Sequence, residues 1–224
     1  MNFDTFGQGV FMAMWTRLLA MGVVMAVSFQ AQAVPLADLF NTGVDSGGLV
    51  LAPGLADPHY SIAASPATVI SNHPAWLAND AVGTPGGSSW IGTVNPGATS
   101  VAPGLYSYTT TFDLTGLDPN TASITMLLAV DNSVNVLLNG NPTGISHAGF
   151  ASFSGPMVLN SGFQAGVNTL QFDVTNAGTG PNPAGLRVEF TSATAALPVP
   201  EPVTASLVLF GAVILLGRRR RSAV

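Results

Sequence analysis

Side chains alternate between apolar and polar at every second position through the C-terminal half of this 224-residue chain. The clearest run is Tyr106 to Leu114, where the even-numbered residues are Tyr, Tyr, Thr, Phe and Leu. A period of two is typical of a half-buried β-strand, because successive side chains point to opposite faces of a sheet. The same period returns in Ser123–Val130, Val134–Leu138, Asn168–Thr175 and Leu186–Phe190. No heptad or amphipathic helical pattern occurs, so we predict an all-β protein.

Turn residues separate these stretches and predict where the chain reverses. The predicted turns are Gly116–Asn120, Asp131-Asn132, Asn139-Gly140 and Gln164–Gly166. We expect Asn141-Pro142 to delay the strand that follows the Asn-Gly turn. Many short strands at these spacings favour a two-sheet antiparallel β-sandwich of the jelly-roll type, with a seven-strand immunoglobulin-like sandwich as the alternative. Residues 34–105 are rich in loops, and Thr191–Val199 is predicted to be a flexible linker.

The C-terminal residues carry the pattern of a membrane-sorting signal. Pro200-Glu201-Pro202 precedes 14 uncharged residues, Val203–Leu216, and Arg218, Arg219, Arg220 and Arg221 follow. Arginines stay on the cytoplasmic side of a membrane, and the apolar run is shorter than the roughly 20 residues that a permanent span needs. The segment resembles the PEP-CTERM sorting signal of Gram-negative bacteria. That resemblance implies a short transmembrane helix within 196–224, and recognition by an exosortase, a membrane cysteine protease that would cut near Pro-Glu-Pro.

The N-terminal residues fit a secretory leader. Arg17 is followed by the uncharged run Leu18–Phe29 and then by Ala31-Gln32-Ala33. A basic residue, about 7–15 apolar residues and a small-x-small site define a signal peptide, so we predict that signal peptidase cuts after Ala33. Met12 or Met14 is an alternative start, because the residues before them include Asp4 and no basic residue. The two signals together predict export across the inner membrane, with transient retention there before release to the cell surface or extracellular matrix.

Composition of the intervening segment limits its partners. Residues 34–195 have the length of one domain and contain no cysteine, so the core must be held by packing or by a bound ion. Arg187 is the one basic residue against nine acidic residues. Such a chain cannot neutralise phosphates, which excludes nucleic acid and anionic membrane surfaces as partners.

Three stretches resemble galactose-binding-like jelly rolls, among them the sugar-binding domain of family-two glycoside hydrolases. They are the hairpin Val130–Gly140, the strand Gly166–Val174 and the closing strand Gly185–Glu189. The resemblance implies a galactose-binding-like sandwich, and it names carbohydrate as a candidate ligand. Fold alone does not assign a ligand, because many functions share such a scaffold.

Candidate catalytic groups are few. Glu189 is the one glutamate of the segment and stands beside Arg187, so we interpret the two as a surface ion pair. His59, His73 and His147 stand in turn-rich stretches and are predicted to be solvated loop residues, and no Gly-x-Ser-x-Gly elbow occurs. We therefore predict a protein without enzymatic activity, with an enzyme of unrecognised type as the weaker alternative.

Candidate binding residues lie in the loops. Trp76 and Trp90 offer the largest surfaces for stacking on sugar rings, unless they pack inside the sandwich. Asn132 and Asn135 could add polar contacts to a sugar, unless they bond their own backbone. No cofactor is predicted apart from a candidate structural calcium ion, for which Asp45, Asp57 and Asp131 supply carboxylates in or beside turns.

These features predict an exported, exosortase-sorted protein of the surface or of an exopolysaccharide or biofilm matrix, without catalytic activity. The alternative is a carbohydrate-binding module at the cell surface. The expected partners are signal peptidase and exosortase during processing and, for the alternative, polysaccharide.

Overall fold

The structure, a computed structural model, describes residues 32–93 and 100–199. Most of the predicted leader, with Ala31, lies outside these residues. So does the predicted sorting motif, from Pro200, Glu201 and Pro202 to the arginines at 218–221. Within the described ranges no helix is long and apolar enough to cross a bilayer.

All regular elements of the described residues are strands. They are β1 (Ala33–Pro35), β2 (Ala56–Ile62), β3 (Ser65–Val69), β4 (Ile91–Gly92), β5 (Ser100–Val101), β6 (Gly104–Asp113), β7 (Asp118–Leu138), β8 (Asn141–Gly149), β9 (Met157–Leu159), β10 (Val167–Asn176), β11 (Asn182–Pro183) and β12 (Gly185–Ala196). Every pairing is antiparallel. The predicted all-β, antiparallel class of fold is confirmed.

The strands form two packed layers that share β7. The first half of β7 pairs with β12 and β9, and its second half pairs with β10 and β8. The order β12-β4-β3-β2-β6-β10-β7 closes on itself because β12 also pairs with β7. Only β1, β8 and β9 lie outside this ring among the strands of the main sheet, and the small pair β5–β11 stands apart. The architecture is therefore a jelly-roll-like sandwich whose layers are joined along their sides.

The space between the layers is filled by the side chains that the alternation places inward. Tyr108, Phe112, Met126, Val136 and Phe172 are all buried in one large cluster. A second, smaller cluster surrounds Trp76 and Trp90. Burying apolar surface contributes roughly 25 cal/mol per Å², so these clusters are the main source of stability in a chain without disulfides.

The predicted turn at Asp131-Asn132 is wrong, since β7 runs through it without reversing. Instead the strand exchanges partners there: Asp131 pairs with β12 and Ser133 pairs with β10. The pairing with β8 also shifts register between Val130 and Ser133. The Asx residues therefore mark an irregularity in a continuous strand, where it leaves one layer for the other.

The next turn follows the sequence more closely. Asn139 and Gly140 both have positive φ angles, of 53° and 78°, as a two-residue type I′ hairpin requires. The delay predicted from Asn141-Pro142 is wrong, because β8 begins directly at Asn141. Pro142 is tolerated since β8 is the last strand of its sheet, and an edge strand need not donate a hydrogen bond at every residue.

The predicted linker is also wrong over most of its length. β12 continues to Ala196 and pairs with both β7 and β1. Ala195 is buried, so this Ala- and Thr-rich stretch belongs to the core. Small side chains allow the strands to pack closely here. The same Ala- and Thr-rich composition, taken without the structure, is typical of a flexible linker.

Candidate functional site

The two tryptophans do not offer sugar-binding surfaces. Trp76 is 5% exposed and Trp90 0% exposed, and their ring centroids lie 4.4 Å apart. The Trp76 indole donates to Oδ2 of Asp131 at 2.9 Å, and the Trp90 indole donates to the carbonyl of Leu77 at 2.7 Å. The expectation that they stack on a ligand is thus corrected, because each ring is enclosed and each N–H already has a partner. The alternative, packing in the interior, describes both.

The two asparagines proposed as sugar contacts, Asn132 and Asn135, lie in different environments. The Oδ1 atom of Asn132 accepts a hydrogen bond from the backbone N–H of Ala177 at 2.7 Å, which ties β7 to the loop after β10. Asn135 is exposed on β7, between Asp173 of β10 and Ser146 of β8. Asn135 alone of the pair presents an uncommitted surface position.

The three aspartates considered for calcium are each held by protein donors. Oδ1 of Asp45 accepts from the backbone N–H groups of Gly47 and Leu49 at 2.8 and 2.9 Å. Asp57 accepts three backbone N–H groups, including that of Gly43 at 2.7 Å. Asp131 accepts the indole of Trp76. In residues 32–93 and 100–199 no three acidic, histidine or cysteine side chains come together as a metal site would require. A structural ion therefore stays a prediction from sequence.

Burial affects the protonation of two of these groups. It raises the pKa of Asp57, an effect opposed by its backbone N–H donors. Burial likewise raises the pKa of Asp131, opposed by the hydrogen bond from Trp76. Both carboxyls are therefore held in settings that disfavour their charge.

The prediction of a surface ion pair between Arg187 and Glu189 is wrong about its location. Arg187 is 2% exposed, lies 2.9 Å from Asp80 and 3.5 Å from Glu189, and its guanidinium lies 5.0 Å from the ring centroid of Phe153. It also donates to Oγ of Ser88 at 2.6 Å and to the carbonyl of Ala78. These bonds satisfy a buried cation and fasten the loop before β4 to β12.

The histidines are also placed differently from the prediction. His59 lies on β2 and stacks on Phe40, with ring centroids 3.8 Å apart and planes 10° from parallel. His147 lies on β8, and its Nε2 atom is buried without a hydrogen-bond partner among the described residues. Only His73 lies in a turn, where its Nδ1 accepts from the backbone N–H of Ala75 at 3.2 Å. Among the hydrogen bonds of the described residues, none joins one of these histidines to a serine, as a relay that activates a nucleophile would require.

The outward side chains of β2, β6, β10 and the second half of β7 form a surface, called here the polar face, that is mostly polar and is interrupted by Leu105, Leu137 and Val167. Registers place the polar side chains in three successive rows: Ser107, Asp173 and Asn135 in the first, Ser61, Thr109 and Gln171 in the second, and Thr111 and Thr169 in the third. Ser61 and Thr109 share a hydrogen bond of 2.7 Å. Oδ1 of Asp173 accepts from Ser107 at 2.6 Å and from Gln171 at 2.8 Å. The hydroxyl, amide and carboxylate groups are thus held in fixed positions by one another.

A cleft of about 310 Å³ opens at the β2 side of the polar face. Hydroxyl groups of Ser61, Ser65, Thr109 and Thr111 line it together with the ring of His59. Two prolines and Ala64 add apolar patches between these groups. Such a mixture of hydroxyl groups and small apolar surfaces can contact the hydroxyl edges and the C–H faces of sugar rings.

The β2–β3 turn forms one rim of this cleft in an uncommon backbone conformation. Ala63 and Ala64 both have positive φ angles, of 49° and 64°, and Ile62 pairs directly with Ser65. A two-residue loop with both φ angles positive is the type I′ turn, which Asn and Gly adopt with less strain than Ala. The rim is therefore held in its conformation by the strands that flank it.

The sequence predicts which side chains of β6 and β10 point outward, but it does not predict that they form one surface. The alternation places Ser107, Thr109, Thr111 and Asp113 on one side of β6, and Thr169, Gln171 and Asp173 on one side of β10. The local sequence pattern does not indicate that these strands are neighbours or that β2 lies beside them. A concentration of Ser and Thr at outward positions is the one signal that could have marked the surface.

No protein-family model matches the chain, and no curated protein matches it. Among solved structures, the CBM35 from Paenibacillus barcinonensis is 14% identical, with a TM-score of 0.34, over 61% of this chain and 95% of that chain. A family 35 carbohydrate binding module from an environmental isolate is 11% identical, with a TM-score of 0.35, over 66% of this chain and 95% of that chain. At these scores the likenesses carry no conclusion about the ligand of this chain.

Proposed function

We propose that this protein is an exported, non-catalytic polysaccharide-binding protein of the cell surface or extracellular matrix. The observation that supports the proposal is the polar face with its cleft. Within it, Ser61 bonds Thr109, and Asp173 accepts from Ser107 and Gln171, so these five groups are ordered before a ligand arrives. An ordered set of hydroxyl and amide groups is suited to the many hydroxyl groups of a glycan chain.

The position of the binding groups also favours a chain-like ligand. Outward residues on one strand repeat about every 7 Å, and neighbouring strands lie about 4.8 Å apart. The polar face crosses β2, β6, β10 and β7, so it offers several successive contact points. A polymer can make several such weak contacts at once and so bind more tightly than a single monosaccharide, which makes only one or two.

The proposed route to the surface rests on the terminal signals of the sequence. A leader with a cut after Ala33 would export the chain, and exosortase would recognise the tail that resembles a PEP-CTERM signal. A role as a structural component of an exopolysaccharide or biofilm matrix is the second candidate, favoured by this tail. The two candidates are compatible, since a matrix protein that binds polysaccharide would serve both.

Binding of the purified full chain to a glycan array tests the proposal, followed by titration with the best oligosaccharide. Thr111→Val removes one hydroxyl of the cleft while keeping the shape of the side chain. We expect its affinity to fall about two- to ten-fold, the contribution of one hydrogen bond. Thr179→Val is the matched control, because Thr179 is exposed in the loop after β10 and away from the cleft. Equal affinities for both variants, or no glycan bound at all, would contradict the proposal.

A further inference from the structure

The charge of the polar face restricts the class of polysaccharide that it can bind, and this inference rests on the function proposed above. From residue 34 to residue 199 the chain has no lysine and one arginine, Arg187. That side chain is buried and is already bonded to Asp80, Ser88 and Glu189. No arginine or lysine of this segment is therefore free to pair with a carboxylate or sulfate on a ligand.

The polar face carries carboxylates instead. Asp173 lies in the row of Ser107, at one end of the three rows, and both of its hydrogen bonds within the described residues are to Oδ1, which leaves Oδ2 for a ligand. Asp113 follows Thr111 on the same side of β6 and is exposed. Hydrogen bonds from the hydroxyl and backbone N–H of Thr115, at 2.7 Å each, hold the Asp113 carboxylate in place.

The two carboxylates are spaced along the direction of the strands. Asp173 is opposite Ser107, and Asp113 is six residues further along β6. At roughly 3.4 Å a residue the separation along the strand is about 20 Å. The hydroxyl groups of Thr109 and Thr111 lie between them. A polymer laid along β6 would therefore meet a negative charge at each end of a row of neutral hydroxyl groups.

We propose that the ligand of the polar face is a polysaccharide with free amino groups, such as a chain of glucosamine units. Protonated amines would pair with Asp173 and Asp113, while ring hydroxyl groups would contact the threonines between them. Polysaccharides of uronic acid or with sulfate groups would be disfavoured, since no lysine or arginine on the face offsets their charge. The proposal concerns one ligand class and involves no covalent step.

Titration of the full chain with three oligosaccharides of equal length tests this proposal. The probes are a glucosamine hexamer, its fully N-acetylated counterpart and a galacturonate hexamer, at a pH of about 6, where amines are protonated and aspartates ionised. We expect the glucosamine hexamer to bind tightest, and its advantage to shrink in high salt. The double variant Asp113→Asn/Asp173→Asn should weaken its binding about three- to ten-fold and leave the N-acetylated hexamer unaffected.

Asp38→Asn is the control for overall negative charge, since Asp38 is exposed outside the polar face. If Asp38→Asn weakens binding of the glucosamine hexamer as much as the double variant does, the effect is one of overall charge, and the proposal is overturned. Tighter binding of the galacturonate hexamer, with or without added Ca²⁺, would overturn it as well. If both neutral and amine-bearing hexamers bind equally, the amine proposal fails while polysaccharide binding stands. If no hexamer or array glycan binds, both proposals fail.

Discussion

Val136 of β7 lies directly opposite Phe172 of β10, and both side chains are buried in the larger core cluster. The Phe172 ring centroid also lies 6.3 Å from that of Tyr60 on β2. Together with Tyr60, the pair therefore packs side chains of β7, β10 and β2 on the inner side of one layer. The period of two in Val134–Leu138 and Asn168–Thr175 predicts that both side chains face inward, and this placement is confirmed.

Truncation of Phe172 should be costly for this reason. Phe172→Ala removes a fully buried ring, and we expect the free energy of unfolding to fall by about 3–5 kcal/mol. Thr169→Ser, on the outward side of the same strand, should change it by less than about 0.5 kcal/mol. Urea unfolding followed by circular dichroism measures both. A loss below about 1 kcal/mol for Phe172→Ala would contradict its place in the core.

Replacement of Trp76 separates a structural role from a binding role. Trp76→Ala opens a cavity beside Trp90 and leaves the buried carboxyl of Asp131 without its donor, so we expect a loss of about 3–5 kcal/mol. Trp76→Phe keeps most of the packing but loses the indole N–H, and should cost less. Thermal unfolding measures the change, and a titration with glycan is its companion. A variant with an unchanged melting temperature and weakened glycan binding would restore the sugar-stacking role.

The stability of the fold should depend on pH through Asp131. Burial raises its pKa in the folded state above the ordinary value of about 3.9, so the folded state binds the proton more tightly than the unfolded state. Stability from this group is therefore complete below about pH 3.9 and decreases as the pH rises through the raised pKa. Asp131→Asn keeps an acceptor for Trp76 and should flatten that decrease. Unfolding experiments between about pH 3 and 7, on the wild type and Asp131→Asn, measure the slopes. Identical slopes would contradict the assignment to Asp131.

The β2–β3 turn should be open to stabilisation. Ala63 and Ala64 hold positive φ angles, a conformation that costs an L-residue with a Cβ roughly 1–2 kcal/mol. Ala63→Asn/Ala64→Gly introduces the residues that type I′ turns favour, and we expect a gain of about 1 kcal/mol after the added entropy of glycine in the unfolded chain. The melting temperature measures this gain, and Ala148→Gly, at an exposed strand position, is a control that should destabilise. A double variant less stable than the wild type would contradict the strain.

Processing of both ends follows from the terminal signals. In the native host the surface form should begin at Val34 and lack Arg218 to Arg221, because signal peptidase and exosortase would remove the flanking segments. Intact mass spectrometry of the surface fraction gives both ends in one measurement. Surface-exposed protein that retains the four arginines would indicate a permanent tail anchor instead of a sorted product.

Local pattern in the sequence determined which face each side chain of β6, β10 and most of β7 points to. The period of two is a property of extended backbone and needs no knowledge of neighbours. The Asn139-Gly140 turn is equally local, because few residues tolerate positive φ at both positions. Because of the period of two, the core positions Phe112, Met126 and Phe172 could be predicted from the sequence.

Only the tertiary structure decided which strands are neighbours. The exchange of partners by β7 at Asp131-Asn132, the burial of Arg187 and the polar face all join segments far apart in the chain. Their arrangement depends on the free energy of the whole core, where distant strands must fill one interior and satisfy each buried polar group. Local propensity carries no information about that sum. The sequence therefore assigned the faces of individual strands, and packing alone brought them together into a candidate site.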